Sequence, residues 1–316
     1  MQAEPLEQPS GLESPRTVIV AILVNVAIAI VKYAASLFTG SAAMTAEAIH
    51  SFVDAGNSAL LLIGMHRSAK AADERHPFGY GREIYFWSLV VAVVIFGAGG
   101  VAAIAEGISR FSEPHELQNV VINYAVLGFA LVFETVSWLV AYRGIRKEYP
   151  GISPFSAARR SKDPGLFVVL FEDTAAILGL LIALVVGTIL ATVFPSYHFD
   201  AIASVLIGLL LITTAVVLMN KTRSLLVGES ADKEILEGIR ALLKDDPRVA
   251  SVHRILSAQM APGNLLLNLD LRFDPSLSGA DVPAAIKAVE VAIRNRYPAV
   301  KEIFVEAQAF RVPERR

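Results

Sequence analysis

Five side chains with the chemistry of metal ligands lie in stretches where charged groups are rare. Ala46-Glu47-Ala48-Ile49-His50-Ser51-Phe52-Val53-Asp54 sits in one long apolar segment, and Val169-Leu170-Phe171-Glu172-Asp173 in another. On a helix, His50 and Asp54 share a face, and Glu47 precedes them by one turn on the same side. One imidazole and several carboxylates make a donor set for a divalent cation. Zn2+ takes four ligands in a tetrahedron, and harder ions such as Mn2+ take more oxygens. The chain has no Cys, so thiolate sites, disulfides and Cys nucleophiles are excluded. Ionisable groups inside apolar spans are costly and mark pathways or sites. A polar clasp between helices accounts for one such residue, but not for His50, Asp54 and Asp173 together.

The elements that must hold these residues are membrane helices. The 316 residues are 54% hydrophobic and only 18% charged, against about 45–50% and 25% in soluble domains. Mean hydropathy is +0.53, and the net charge of −2 with a pI near 6.3 argues against a nucleic-acid partner. A spanning helix needs about 20 mostly apolar residues, and six segments qualify: Thr17 to Phe38, Ala42 to Met65, Ile84 to Ile108, Val120 to Tyr142, Gly165 to Phe194, and Phe199 to Met219 or a little beyond. Residues 1–16 carry three Glu and one Arg, so the start does not read as a cleavable signal. Arg67, Lys70, Arg75 and Arg82 cluster between spans two and three; Arg143, Arg146, Lys147, Arg159, Arg160 and Lys162 lie between four and five. By the positive-inside rule those linkers and both termini face the cytoplasm; with no transit peptide read at the start, the expectation is a multi-pass protein of a cytoplasmic (inner) membrane.

After Arg223 the pattern changes, and residues 229–316 hold 13 of the 28 Lys+Arg and 13 of the 30 Asp+Glu. Ala231 to Leu243 and Val282 to Arg294 have helical periodicity; Val249 to Ser257, Leu265 to Phe273 and Val300 to Phe310 read as strands. Leu265, Leu267, Leu269 and Leu271 alternate on one side, and Pro262-Gly263-Asn264 is a turn signal. The expected organisation is an N-terminal tail at 1–16, a six-helix transmembrane domain at 17–228 and a soluble αββαβ domain at 229–316, one sheet covered by two helices.

The motifs resemble the cation diffusion facilitator family, the zinc-transporter-type metal/proton antiporters. The resemblance rests on Thr39-Gly40-Ser41, the His50-x-x-x-Asp54 pair, His76-Pro77-Phe78-Gly79-Tyr80-Gly81-Arg82-Glu83, Asp173, Asp200 and the tail, and runs from about residue 17 to 310. Phe171-Glu172-Asp173-Thr174-Ala175-Ala176 is similar to the branch with a Glu-Asp pair in the fifth span. The resemblance implies a transport site of two residues four apart in span two and two in span five: His50 and Asp54, then Val169 and Asp173. Val169 cannot bind metal. Glu172 is the natural substitute, because positions 169, 172 and 173 share a helical face, and Glu47 is a second candidate. Asp73 and His76 match a weaker family site, with Tyr80 replacing a His; a structural turn explains the same residues. His253, Asp270 and Glu306 fall near tail ligand positions and read as solvated surface. The resemblance also implies that the tail forms a homodimer.

The resulting expectation is export of a divalent metal as substrate, Zn2+ first with Mn2+, Fe2+ and Co2+ open, in exchange for protons. No cofactor and no enzymatic reaction are implied. His50 and Asp54 carry the proton coupling, since binding metal requires neutral imidazole and ionised carboxylate. A membrane sensor or scaffold is the alternative that Val169 favours. An intramembrane hydrolase lacks a motif such as His-Glu-x-x-His. Lys32 is expected to pair with an acid or snorkel, Asn25 and Glu134 to fix helix packing or line a water path, Asp200 to cap its own helix, and Gly97, Gly99 and Gly100 to let helices approach. His66, His115 and His198 sit near span ends without an assigned role.

Overall fold

The computed structural model describes residues 15–112, 118–194 and 198–307. The expected tail at 1–16 falls almost entirely outside the described residues, as do His115 and the last residues of the third predicted strand. The helices are α1 (Pro15–Thr39), α2 (Ala42–Ser68), α3 (Glu83–Ser112), α4 (Val120–Glu148), α5 (Pro154–Arg160), α6 (Pro164–Val193), α7 (His198–Val227) and α8 (Lys233–Lys244). Then follow β1 (Val249–Ala261), β2 (Asn264–Phe273), α9 (Val282–Arg296) and β3 (Val300–Ala307). All six expected spans are helices long and apolar enough to cross a membrane: α1, α2, α3, α4, α6 and α7. The short α5 lay in what the sequence shows only as a basic linker; Ser153 caps it through Ser156 N–H, and Pro154 starts it.

The start of α2 fixes the helix that carries His50. Gly40 at φ 67° turns the chain out of α1. Ser41 Oγ accepts from Met44 N–H at 3.1 Å and donates to Asp200 Oδ1 at 2.6 Å. Asp200 also accepts from the backbone N–H groups of Ala42 and Ala43. Asp200 lies in the first turn of α7, as expected, and it also caps α2. The physical reason is the set of free N–H donors and the positive dipole end at the start of α2. An ordinary surface cap needs no second helix; here the anion pins α7 to α2.

Close backbone approach joins α3 to α7. A Cβ on Gly100 would meet Gly208 O at 2.8 Å, and one on Gly208 would meet Gly100 O at 2.6 Å. Gly99 makes room for Val53 of α2, whereas a Cβ on Gly97 would meet nothing, so Gly97 has no part in the packing expected of it. Both α3 and α6 contain widened π-type turns, at Val91–Phe96 and Ala183–Leu190. Outward-facing Leu23, Leu37, Phe38, Phe129 and Val132 stay exposed, as a lipid-facing surface requires.

The remainder is a second compact unit of its own, Ser224 onward together with Lys70–Arg82. β1 pairs antiparallel with β2, and β2 pairs parallel with β3. The alternation read in β2 holds: Leu265, Leu267, Leu269 and Leu271 are buried under α8 and α9 with Ile239, Leu243, Val289 and Ile293. Burying each leucine contributes about 1.5–3 kcal/mol. Segment 70–82, a linker by sequence, packs on this unit. Phe78 meets Phe304 edge-on at 6.2 Å, and the Arg82 guanidinium reaches Met260 Sδ at 3.2 Å. Overpacking a tight core costs about 1–3 kcal/mol. Gly208→Val should therefore lower the thermal melting point of the detergent-purified protein, while Gly97→Ala should leave it unchanged.

Candidate metal centre

Helical periodicity gathers Glu47, His50, Ser51, Asp54 and Asn57 into one stripe of α2. All five are buried, at 5% exposure or less. Each carries a buried oxygen or nitrogen with no hydrogen-bond partner: Glu47 Oε1, His50 Nε2, Ser51 Oγ, Asp54 Oδ1 and Asn57 Oδ1. Folded proteins rarely leave so many polar atoms unsatisfied in one place. His50 Nε2 stands 3.6 Å from Asp54 Oδ2, too long for a hydrogen bond and close enough for both to face one ligand.

Helices α6 and α4 complete the cluster. Glu172 and Asp173 are buried next to the α2 stripe. Asn57 Nδ2 donates to Glu172 Oε2, which ties α6 to the α2 stripe one turn beyond Asp54. Asp173 turns toward α4, where Ser137 Oγ donates to its Oδ2 at 3.0 Å. One residue along, Trp138 Nε1 donates to Thr174 Oγ1 at 3.0 Å. These two adjacent bonds latch α4 onto α6 at the depth of the cluster. Glu134, one turn before Ser137, is also buried and lies within electrostatic reach of Asp54, Glu172 and Asp173. Val169 is half-buried and brings no donor atom. Among the described residues, no three His, Asp or Glu side chains already close around one point as a metal cage.

The structure thus brings together His50, Asp54 and Glu172, sets Asp173 beside them, and places Glu47 differently. Lys32 Nζ lies 3.1 Å from Glu47 Oε2, and both side chains are fully enclosed. Gly179 of α6 leaves the space for that carboxylate: a Cβ there would meet Glu47 Oε1 at 2.5 Å. The expectation that Lys32 pairs with an acid holds. Sequence reasoning missed Asn57 and Ser137. Asn57 was detectable, being three residues after Asp54 and seven after His50 on the same stripe. Ser137 had no such signal, because a serine in an apolar helix is ordinary.

The second candidate pair lies in segment 70–82. Asp73 Oδ1 accepts from the N–H groups of Arg75 and His76 at 3.0 and 2.8 Å, and Oδ2 accepts from Tyr80 Oη at 2.6 Å. Lys70 Nζ is 3.5 Å from Asp73, and the His76 and Tyr80 rings stack at 4.2 Å between centroids. The Tyr80 hydroxyl, then the His76 N–H, hold the Asp73 carboxyl well below the usual carboxylate range. Both oxygens are committed to folding the loop. In the tail, Asp270 lies in register with Arg254 on one side and Glu306 on the other, and His253 and Glu306 are exposed.

Six spanning helices around a buried cluster of imidazole and carboxylates, with a small α+β unit appended, define a polytopic membrane transport protein. The cation efflux transmembrane domain matches residues 18–227, and the cation efflux cytoplasmic domain matches residues 231–308. The chain belongs to the cation efflux, or cation diffusion facilitator, family, whose members are transporters and not enzymes. Over 262 residues it is 32% identical to the human mitochondrial proton-coupled zinc antiporter SLC30A9, covering 82% of this chain and 46% of that protein. It is 31% identical to metal tolerance protein C4 of Arabidopsis thaliana, covering 83% and 57%. Magnetosome protein MamB of Magnetospirillum gryphiswaldense is 24% identical over 90% of each chain. The chain therefore spans about half the length of the antiporter and plant relatives it matches.

Two outcomes test this geometry. Lys32→Met strands the buried Glu47 carboxylate and should cost about 3–5 kcal/mol, whereas Lys32→Met with Glu47→Met should recover most of that loss in a thermal melt. Tyr80→Phe removes the strongest donor to Asp73, so its carboxyl should titrate closer to about 3.9 in a side-chain NMR titration.

Proposed function

We propose that this chain exchanges a divalent metal cation for protons across the membrane. Zn2+ is the principal substrate, and both termini lie on the cytoplasmic side. The observation that carries the reading is the unpartnered stripe of α2 facing the acidic pair of α6. Polar atoms kept away from water and lipid without partners are ready to accept a cation. His50, Asp54 and Asp173, with Glu172 in place of the apolar position 169, form the transport ligands. Glu47, neutralised by Lys32, is a structural neighbour. Asp73 and His76 shape their loop rather than bind metal.

The coupling is a competition for the same atoms. Imidazole binds metal only when neutral and carboxylates only when ionised, so loading releases protons and protonation ejects the metal. A more acidic outer compartment then drives metal out of the cytoplasm. Because the ligands lie on α2 and α6, with the Ser137 latch on α4, relative movement of these helices would open the cluster to either side. The C-terminal unit is the dimerising part, as its match to the family's cytoplasmic domain supports.

Reconstituted in proteoliposomes with a pH gradient, the wild-type chain should move Zn2+ inward against the proton flow. His50→Ala, Asp54→Ala and Asp173→Ala should each lower that flux by about 100-fold or more, since loss of even a residue that only supports a ligand costs about 10–100-fold. Wild-type flux from the folded variants overturns the site. A wild type that moves neither metal nor protons leaves the scaffold reading.

A further inference from the structure

Helix geometry poses a problem for the ligand set just proposed. Consecutive residues on a helix project about 100° apart. Glu172 and Asp173 therefore do not turn to one point on their own, and Asp173 is already drawn toward Ser137 of α4. What brings the Glu172 carboxylate to the α2 stripe is Asn57, through Nδ2 to Oε2. With Glu172 ionised, the NH2 group faces the carboxylate, since the carbonyl oxygen would be repelled by it. Asn57 Oδ1 is then left buried, at 2% residue exposure, with no partner. A desolvated carbonyl oxygen is costly unless something supplies positive charge or a proton donor. The atoms on the same face one and two turns earlier are Asp54 Oδ1 and His50 Nε2, also unpartnered.

We infer that Asn57 is a ligand-bearing residue of the transport site: its amide nitrogen positions Glu172, and its carbonyl oxygen binds the cation beside Asp54. The inference rests on the transport reading above and adds the class of cation. The donor set becomes one imidazole nitrogen with oxygens from Asp54, Glu172 and Asn57, while Asp173 lies beside them with Oδ2 held by Ser137. Asp54 can offer both carboxylate oxygens, so the shell can pass the four positions of tetrahedral Zn2+ toward the oxygen-rich set that Mn2+ prefers. The site therefore admits ions of higher coordination number alongside Zn2+, and Asn57 sets the balance between them.

The test uses the full-length protein in detergent, titrated calorimetrically with Zn2+ alone and Mn2+ alone. Asn57→Leu keeps the volume and removes both amide functions; Asn57→Asp keeps an oxygen. Asn57→Leu should weaken Mn2+ binding roughly tenfold or more relative to Zn2+, and Asn57→Asp should retain Mn2+ binding. A Mn2+ to Zn2+ affinity ratio within about twofold of wild type in folded Asn57→Leu, on the same scale, overturns the assignment. Should Asn57→Leu not fold, Mn2+-loaded wild type with 13C at the asparagine side-chain carbonyl decides. Electron–nuclear double resonance should show a carbon coupling that Asn57→Asp abolishes, and its absence in wild type overturns the inference. A wild type that binds neither ion sinks the transport reading and this one with it. Metal binding that ignores Asn57 sinks only this one.

Discussion

Everything in the membrane unit depends on keeping one stripe of α2 away from lipid. Within a bilayer no water is present to satisfy a polar group. Glu47, His50, Ser51, Asp54 and Asn57 must therefore be covered by protein, and α1 and α6 supply the polar groups that meet them. The cover is uneven. Lys32 neutralises Glu47 at the α1 side, while the atoms nearer Asp54 are enclosed without partners. A fully satisfied network would make a rigid clasp between helices. This one is charge-paired at one end and without partners at the other, the pattern that the proposed transport site requires.

The same economy appears at the end of α2. Asp200 binds three donors at the helix start, so the charge that would be costly in an apolar span is offset by N–H groups that need an acceptor. The α4 to α6 latch works at mid-helix with neutral donors of α4, Ser137 and Trp138, bonded to the adjacent residues Asp173 and Thr174 of α6. The first anchor ties α2 to α7 and the second ties α4 to α6, so each of the two helices that carry the cluster has a partner of its own. The glycine-lined approach of α3 to α7 adds rigidity elsewhere without any polar atom.

Segment 70–82 leads directly out of α2 and into α3, and yet it folds with the C-terminal unit. Its Asp73 hub and the Phe78 and Arg82 contacts give it a defined shape. The covalent path from that unit to the helix carrying His50 and Asp54 is therefore short and ordered. Charge plays different parts in the two units: sparse and buried in the first, dense and solvated in the second.

Length, hydropathy and period were enough for the architecture. An apolar run that must satisfy its own backbone has no alternative to a helix, and four alternating leucines have no alternative to a half-buried strand. His50, Asp54, Glu172 and Asp173 stood out for the same reason, since an ionisable group in such a run needs a use. What the sequence could not show is which neighbour each polar group meets across 15 to 159 positions of chain, the separations of Lys32 from Glu47 and of Ser41 from Asp200. Only packing decided that Glu47 belongs to Lys32, that Asp200 caps α2, and that Asn57 holds Glu172. The physical reason is that spacing along a helix specifies a face. The partner of that face is specified by the close fit of other helices, down to a glycine that leaves room for one carboxylate oxygen.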